Sequence, residues 1–381
     1  GNSLTSERFQ GYTHLTMDGK SYSFGPAFNS SMKGAVITRY GNPYATWETS
    51  LKKNIGLELG LFDNRFLLIA DFFRENRERI LLIRQTVPAT VGMGSATPFA
   101  NMGKTRNEGV DLSLEYNHVF NPDFLLTFKG TFTYAKNTLL FRDEPEYEWD
   151  YQYERGGPMN RIGPAYVALG LFKDQADIDN SPDQSAVMAN VKPGDIKYQD
   201  LNGDKKIDQY DRTYIGDPYI PQVVYGFGLS AKYKRWDFSV YFQGIAKVSI
   251  YMNDIHPFGV YHKNVLGFVA EDYWSESNPN PDAAYPRLSH TDGRDNTEVL
   301  SSYWLRDGAF LRLKNLEIGY SFKWMRVYVS GANLLTFSPF KHWDPELGGY
   351  DNKPESSSDN RGNGLRYPLQ RIVNIGAQFN F

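Results

Sequence analysis

Apolar and polar residues alternate with a period of two along much of the chain. In "VNIGAQFNF" (373–381), Val373, Ile375, Ala377, Phe379 and Phe381 share one face, and Asn374, Gly376, Gln378 and Asn380 share the other. In "YGFGLSAKY" (225–233), Tyr225, Phe227, Leu229, Ala231 and Tyr233 oppose Gly226, Gly228, Ser230 and Lys232. "WDFSVYFQ" (236–243) and "VDLSLEY" (110–116) follow the same rule. Successive side chains of a strand point to opposite faces, so each stretch reads as a strand with one apolar and one polar side. The pattern predicts strands over 46–60, 65–82, 106–120, 123–137, 222–234, 236–250, 303–322, 325–336 and 369–381, and no helix. Many exceed the roughly 5–6 residues usual in soluble sheets and suit the roughly 9–11 residues that cross a bilayer at a tilt.

The connections sharpen this picture. Tight turns are expected at "FDNR" (62–65), "NPD" (121–123), "KR" (234–235) and "KW" (323–324). Long polar segments lie between them, at 83–105, 138–221, 251–302 and 338–368. Short and long connections alternate, as in an all-β, antiparallel transmembrane β-barrel with periplasmic turns and long extracellular loops. Counting back from Phe381, every short turn falls on the side of the C-terminus, which is periplasmic in such barrels. Residues 1–45 then start within an extracellular loop region. Nine strands leave two unpaired edges, which are unstable in lipid, and bacterial barrels have even strand numbers. All of 1–381 is therefore expected to be the C-terminal part of one larger barrel domain, with the N-terminal strands absent. Periodicity alone also admits a soluble antiparallel β-protein, which would expose a large polar face and need a second layer.

Composition adds limits. The 41 basic and 44 acidic residues nearly balance, so no footprint for nucleic acid exists. No cysteine occurs, which removes disulfides and thiolate chemistry. The 26 Tyr, 25 Phe and 34 Gly favour strands and turns. No run of 18 apolar residues exists, so no transmembrane helix is expected, and "GNSLTSERFQ" is not a signal peptide. Low mean hydropathy does not argue against a barrel, where every second residue faces water.

Candidate chemistry is sparse. "DLNGDKKIDQYD" (200–211) places Asp200, Asn202, Asp204, Lys206 (by its carbonyl), Asp208 and Asp211 at the liganding positions of a calcium loop. Position 6, normally Gly, is Lys205, and no flanking helices are expected. The loop has two readings: a Ca²⁺ site, or a tip folded by Asx-turns. Either pins a long loop that is costly in entropy if left loose. "FRDEPEYEWDYQYERGG" (141–157) interleaves acids with Tyr147, Trp149, Tyr151 and Tyr153. These rings are weak candidates for stacking on sugar or contacting a partner; the preferred reading is a strand extension above the membrane. "EDYWSESNPNPDAAYPRLSH" (271–290) reads as an ordered loop at the barrel mouth. Asp143 and Glu144 do not argue for a glycosidase pair, His256 and His262 lack metal spacing, and no catalytic or organic-cofactor motif occurs. Gly348 and Gly349 read as turn residues.

Several long motifs, in order, resemble the C-terminal part of SusC/RagA-type TonB-dependent outer-membrane transporters of the Bacteroidota. They are "NPYATWETSLKKNIGLELGLFDNRF" (42–66), "NMGKTRNEGVDLSLEY" (101–116), "PGDIKYQDLNGDKKIDQYDRTYIGDPYIPQ" (193–222), "LRDGAFLRLKNLEIGYSF" (305–322), "VYVSGANLLTFSPFKHWDPE" (327–346) and the terminal "NIGAQFNF". Lys205 departs from the Gly common in relatives. The resemblance implies a 22-stranded barrel in the outer membrane, a plug domain and a TonB-contacting segment upstream of this chain, and a SusD-like surface lipoprotein as partner. It implies energised import of oligosaccharides or peptides and no enzyme activity. Phe379 and Phe381 resemble the terminal aromatic signal read by the barrel-assembly machinery. The alternatives are a soluble, calcium-stabilised β-rich glycan-binding module, a passive porin or adhesin and, last, a secreted hydrolase.

Overall fold

The computed structural model describes residues 10–252, 266–288, 296, 299–347 and 367–379. Nine strands form one antiparallel sheet in chain order. They are β1 (Thr49–Leu61), β2 (Phe66–Ile83), β3 (Phe99–Asn121), β4 (Phe124–Phe141), β5 (Val223–Tyr233), β6 (Trp236–Ala246), β7 (Phe310–Ser321), β8 (Met325–Phe337) and β9 (Ile372–Phe379). Each of the nine expected strands is present. Phe62, Asp63 and Asn64 adopt left-handed backbone in succession to close β1 on β2, and Lys234 does so between β5 and β6.

Two neighbouring cross-strand rows show how the sequence divides the faces. Leu59, Leu68, Leu114, Gly130, Phe227, Phe242, Leu313 and Leu335 pair in register across eight strands. One residue along, the row is Glu58, Ile69, Ser113, Thr131, Gly226, Gln243, Arg312 and Thr336. The first row is apolar and the second mainly polar, because the strand period is two. Phe227 and Phe242 stack at 5.2 Å, and Phe227 and Leu335 stay exposed on the apolar face. No second layer covers that face among the described residues. At the short-turn end an aromatic rim forms: Phe120 stacks on Phe124 at 4.5 Å, Trp236 meets Tyr320 at 4.9 Å, and Trp324 stacks on Phe379 at 5.8 Å. Amphipathic rings at this level are the interfacial girdle of a membrane barrel.

The principal buried core lies outside this wall. Ile162, Leu171, Ile196, Ile207, Ile250 and Trp304 belong to one apolar cluster, and all come from the long connections at one end of the sheet. These segments carry short strand pairs of their own: 162–166 with 212–215, 168–171 with 196–198, and 249–251 with 305–307. They form a folded cap.

Two corrections follow. The expected strands 236–250 and 303–322 each merge a wall strand with a cap strand. β6 stops at Ala246, Lys247 turns left-handed, and Ser249–Tyr251 pairs instead with Leu305–Asp307 beside Gly308. The chain is also not helix-free: Gln175–Asp179 and Gly267–Glu271 are single short α-helices in the cap. Asp174 starts the first by accepting the Asp177 N–H at 2.8 Å. The expected N-terminal loop region has short strand pairs within 10–45, between 14–16 and 36–39 and between 21–24 and 30–33.

Candidate functional site

Buried polar latches hold the cap together. Asp195 is fully buried and accepts the Lys192 N–H at 2.8 Å and the Asn296 Nδ2 at 2.9 Å, while Arg287 Nε lies 2.6 Å from its carboxylate. Asn296 also accepts the Ile196 N–H, and its carbonyl accepts the Trp304 indole N–H at 3.0 Å. One carboxylate thus ties residues 192–196 to 287 and 296, far away in sequence. A buried charge is tolerable only when so paired. Arg312, on the polar face of β7 and also buried, reaches Asp344 and, at 3.0 Å, Glu346. The segment after β8 is fastened to the wall by this pair.

The 200–211 loop is a folded tip on the cap. Asp200 accepts N–H bonds from Gly203 (2.6 Å) and Lys205 (2.8 Å), Asn202 from Asp204 (2.9 Å), and Asp204 from Lys206 (2.8 Å). Asp211 is buried and accepts Leu201 N–H and Asp208 N–H, while Asp208 accepts Tyr210 N–H. Lys205 takes the left-handed conformation for which Gly is usual, with φ +66°. Fully buried Ile207 anchors the tip in the apolar cluster. The side chains serve the backbone of their own loop. Among the described residues no three His, Cys, Asp or Glu side chains are placed to hold a metal ion. The arrangement fits an Asx-turn network.

Two of the four candidate rings, Trp149 and Tyr151, lie beside this tip. β4 ends at Phe141 and residues 142–149 carry no strand, so 141–157 is not a strand extension. Pro145 and the acidic run interrupt the ladder. Tyr147 and Tyr153 meet edge-on at 5.0 Å, while Trp149 stacks on Tyr151 at 6.1 Å and leans on Tyr210 at 5.6 Å. Tyr151 donates its hydroxyl to the Tyr210 carbonyl at 2.9 Å. Burial, and then the Asp211, Asp200, Asp204 and Asp208 carboxylates, push its phenol up to about 12. The rings pack in two pairs, of which only Trp149 and Tyr151 touch the tip. Asp143 is another latch: it accepts Gln85 N–H at 2.7 Å and the Thr86 hydroxyl at 2.8 Å. His256, His262, Gly348, Gly349 and Phe381 lie outside the described residues, as do the last two residues of 271–290.

Between cap and wall is a cavity of about 580 Å³. Its wall side carries Glu75, Arg77, Asn107 and Asn137 near the long-loop ends of β2–β4, and its cap side carries Arg142, Glu154 and Met159. Arg77 contacts Glu75 at 3.0 Å and Glu48 at 3.4 Å, and Arg142 pairs with Glu154. Asn137 accepts the Met159 N–H at 2.7 Å, which seats the cap on β4. Sequence reasoning missed these residues. Their only signal was polar alternation persisting to the ends of the strands.

A family model described as "TonB dependent receptor-like, beta-barrel" matches residues 19–334. The chain is 28% identical over 379 residues to TonB-dependent receptor P3 of Formosa agariphila, covering 93% of this chain and 36% of that protein. It is 24% identical to TonB-dependent receptor SusC of Bacteroides thetaiotaomicron, covering 87% of this chain and 33% of that protein. The chain thus spans about a third of the length of these relatives. The RagAB peptide importer in its open-open state shares the fold, with a TM-score of 0.67 at 23% identity over 98% of this chain and 38% of that one. Nine in-order strands with one apolar face are a piece of such a barrel, and the match over most of the chain leaves no place for a soluble module: the chain belongs to the TonB-dependent receptor β-barrel family.

Proposed function

We propose that the chain is the C-terminal part of an outer-membrane importer that takes up oligosaccharides or peptides, driven through TonB and assisted by a SusD-like surface lipoprotein. The long-loop end with its cap is extracellular, and the short turns and C-terminus are periplasmic. The observation that carries this reading is the polar row backed by an apolar row, which leads up to a mixed-charge cavity under a folded cap. Polar, paired side chains give a solvated path, and the cap supplies a surface for the lipoprotein. Phe379, stacked on Trp324, and Phe381 act as the assembly signal. The chemistry needs no catalytic group. Uptake of labelled oligosaccharide and peptide pools by cells carrying the full-length protein tests this. Saturable uptake that stops on adding a proton uncoupler, or on deleting TonB, is expected. Uptake indifferent to both makes the barrel a passive pore and refutes the reading.

A further inference from the structure

A bulge changes what the polar face of β2 presents. Glu75 and Arg77 stand at alternate positions on that face, and Arg77 pairs with Thr105 of β3. Arg79 then turns left-handed, and the next pair is Ile80 with Gly103, so β2 advances three residues where β3 advances two. The extra residue reverses the alternation of faces. Ile80 therefore joins the face of Arg77, in place of Arg79. A Cβ at position 103 would meet Leu82 Cδ1 at 2.7 Å and Ile80 Cβ at 3.0 Å, so both aliphatic side chains lie across the bare backbone of Gly103.

Ile80 and Leu82 form a shelf in the cavity of about 580 Å³, which Leu139 of β4 and Met159 of the cap complete. Ile80, Leu82 and Met159 are only half-buried. The Met159 N–H bond to Asn137 seats the cap and leaves the shelf open to the cavity. Bulges recur beside functional sites, where they re-aim side chains, and this volume lies in the range of ligand sites. Beside the shelf stand Asn107, Asn137 and the ion pairs of Arg77 with Glu48 and Glu75. A ligand that fits both zones carries an aliphatic group on a backbone of alternating donors and acceptors. A peptide has this composition: every non-proline unit brings one N–H and one C=O, and a Leu or Ile side chain gains by leaving water. An oligosaccharide offers ring faces, which flat aromatic rings match. Phe141 is the only aromatic ring among the described lining residues.

We propose that this shelf selects peptides carrying a Leu- or Ile-sized side chain, so that the cavity receives peptides and not oligosaccharides. This rests on the reading of the cavity as part of the import path given under the proposed function.

The test uses the full-length protein in detergent, with binding read by fluorescence anisotropy. The probes are labelled pentapeptide pools with Leu or Ser fixed at the third position and Gly, Ser or Asn elsewhere, and a pool of labelled neutral pentasaccharides. The Leu pool should bind about tenfold tighter than the Ser pool, the order expected for burying one aliphatic side chain, and the sugars should bind more weakly than either. Ile80→Ser/Leu82→Ser should cut the preference to about twofold or less and leave the Ser pool little changed. No binding of the Leu pool, equal binding of the two peptide pools, tighter binding of the sugars, or a preference that survives the double variant overturns the proposal. A fall in both peptide pools alike also overturns it, because it marks a shelf that only packs the cap. Heat-modifiable gel migration reports an intact barrel; if the double variant loses it, Leu82→Ala alone carries the test, with an expected loss of about threefold in preference. Loss of energised uptake by cells carrying wild type, by contrast, sinks the import reading and leaves the binding preference standing.

Discussion

Replacing Phe227 with Arg tests the division of the wall into two solvents. Phe227 lies six residues above the short turn, about 15 Å up at a tilt of about 40°, close to the middle of the apolar band. A charged residue on the lipid face at this depth costs about 2–4 kcal/mol. Loss of the stack on Phe242 adds about 0.5–1.5 kcal/mol. The expected destabilisation is therefore about 3–5 kcal/mol. The control is Ser230→Arg, three residues away on the polar face between Thr127 and Ser239, where the guanidinium stays solvated and the cost should be under about 1 kcal/mol. Both variants are made in the full-length protein and unfolded by urea from lipid vesicles, with tryptophan fluorescence as the readout. Equal costs for the two, or a larger cost at Ser230, would refute the assignment of faces.

Asp195→Ala leaves Arg287 without its buried partner; a broken buried pair costs about 3–5 kcal/mol, and the partial exposure of Arg287 favours the lower end. Hydrogen exchange at the Ile196 and Tyr198 amides should accelerate while β5 and β6 stay protected, and a uniform change would show that cap and wall unfold together. Millimolar calcium should move the cap's melting temperature by less than about 1 °C if the 200–211 tip is folded by its own Asx-turns alone; a saturable rise well beyond that supports the cation reading. Acid should weaken the cap in two stages. Burial, and then the Arg306 charge, lower His342, so its contribution is present at high pH and begins to fade as pH falls below about 6.5. Burial raises Asp143, but N–H and hydroxyl bonds from Thr86 and Gln85 outweigh it and hold the carboxyl below its ordinary range, while Lys197 lowers Asp177. Both stabilise above the ordinary carboxylate range and lose that effect as pH falls below about 4 through their folded values, so near-ultraviolet dichroism should show the steeper loss there. Loss of stability on raising the pH from 5 to 8 would contradict these signs.

The wall was legible in the sequence because lipid and water impose a period of two, and each strand reports its faces without help from its neighbours. The cap was not. Ile162, Ile196, Ile207 and Trp304 meet in one core but sit singly within polar stretches, with no period to mark them. The merged strands failed for a related reason: alternation runs on through "GIAKVSIY" and cannot reveal that Lys247 redirects the chain to a different sheet. The cavity combines positions brought together by strand register and by the Asn137–Met159 contact, which no local pattern encodes. The 200–211 motif was visible at once, because its spacing serves an Asx network as well as it serves an ion.

The redirected strands have a mechanical consequence. β6 and β7 are neighbours in the wall, and their continuations, Ser249–Tyr251 and Leu305–Asp307, are neighbours again in the cap, with Gly308 N–H bonded to the Val248 carbonyl at 2.9 Å between them. The two sheets share a two-stranded stem instead of a loose tether. The cap is thereby coupled to the seam between β6 and β7 by paired backbone on both sides of the bend.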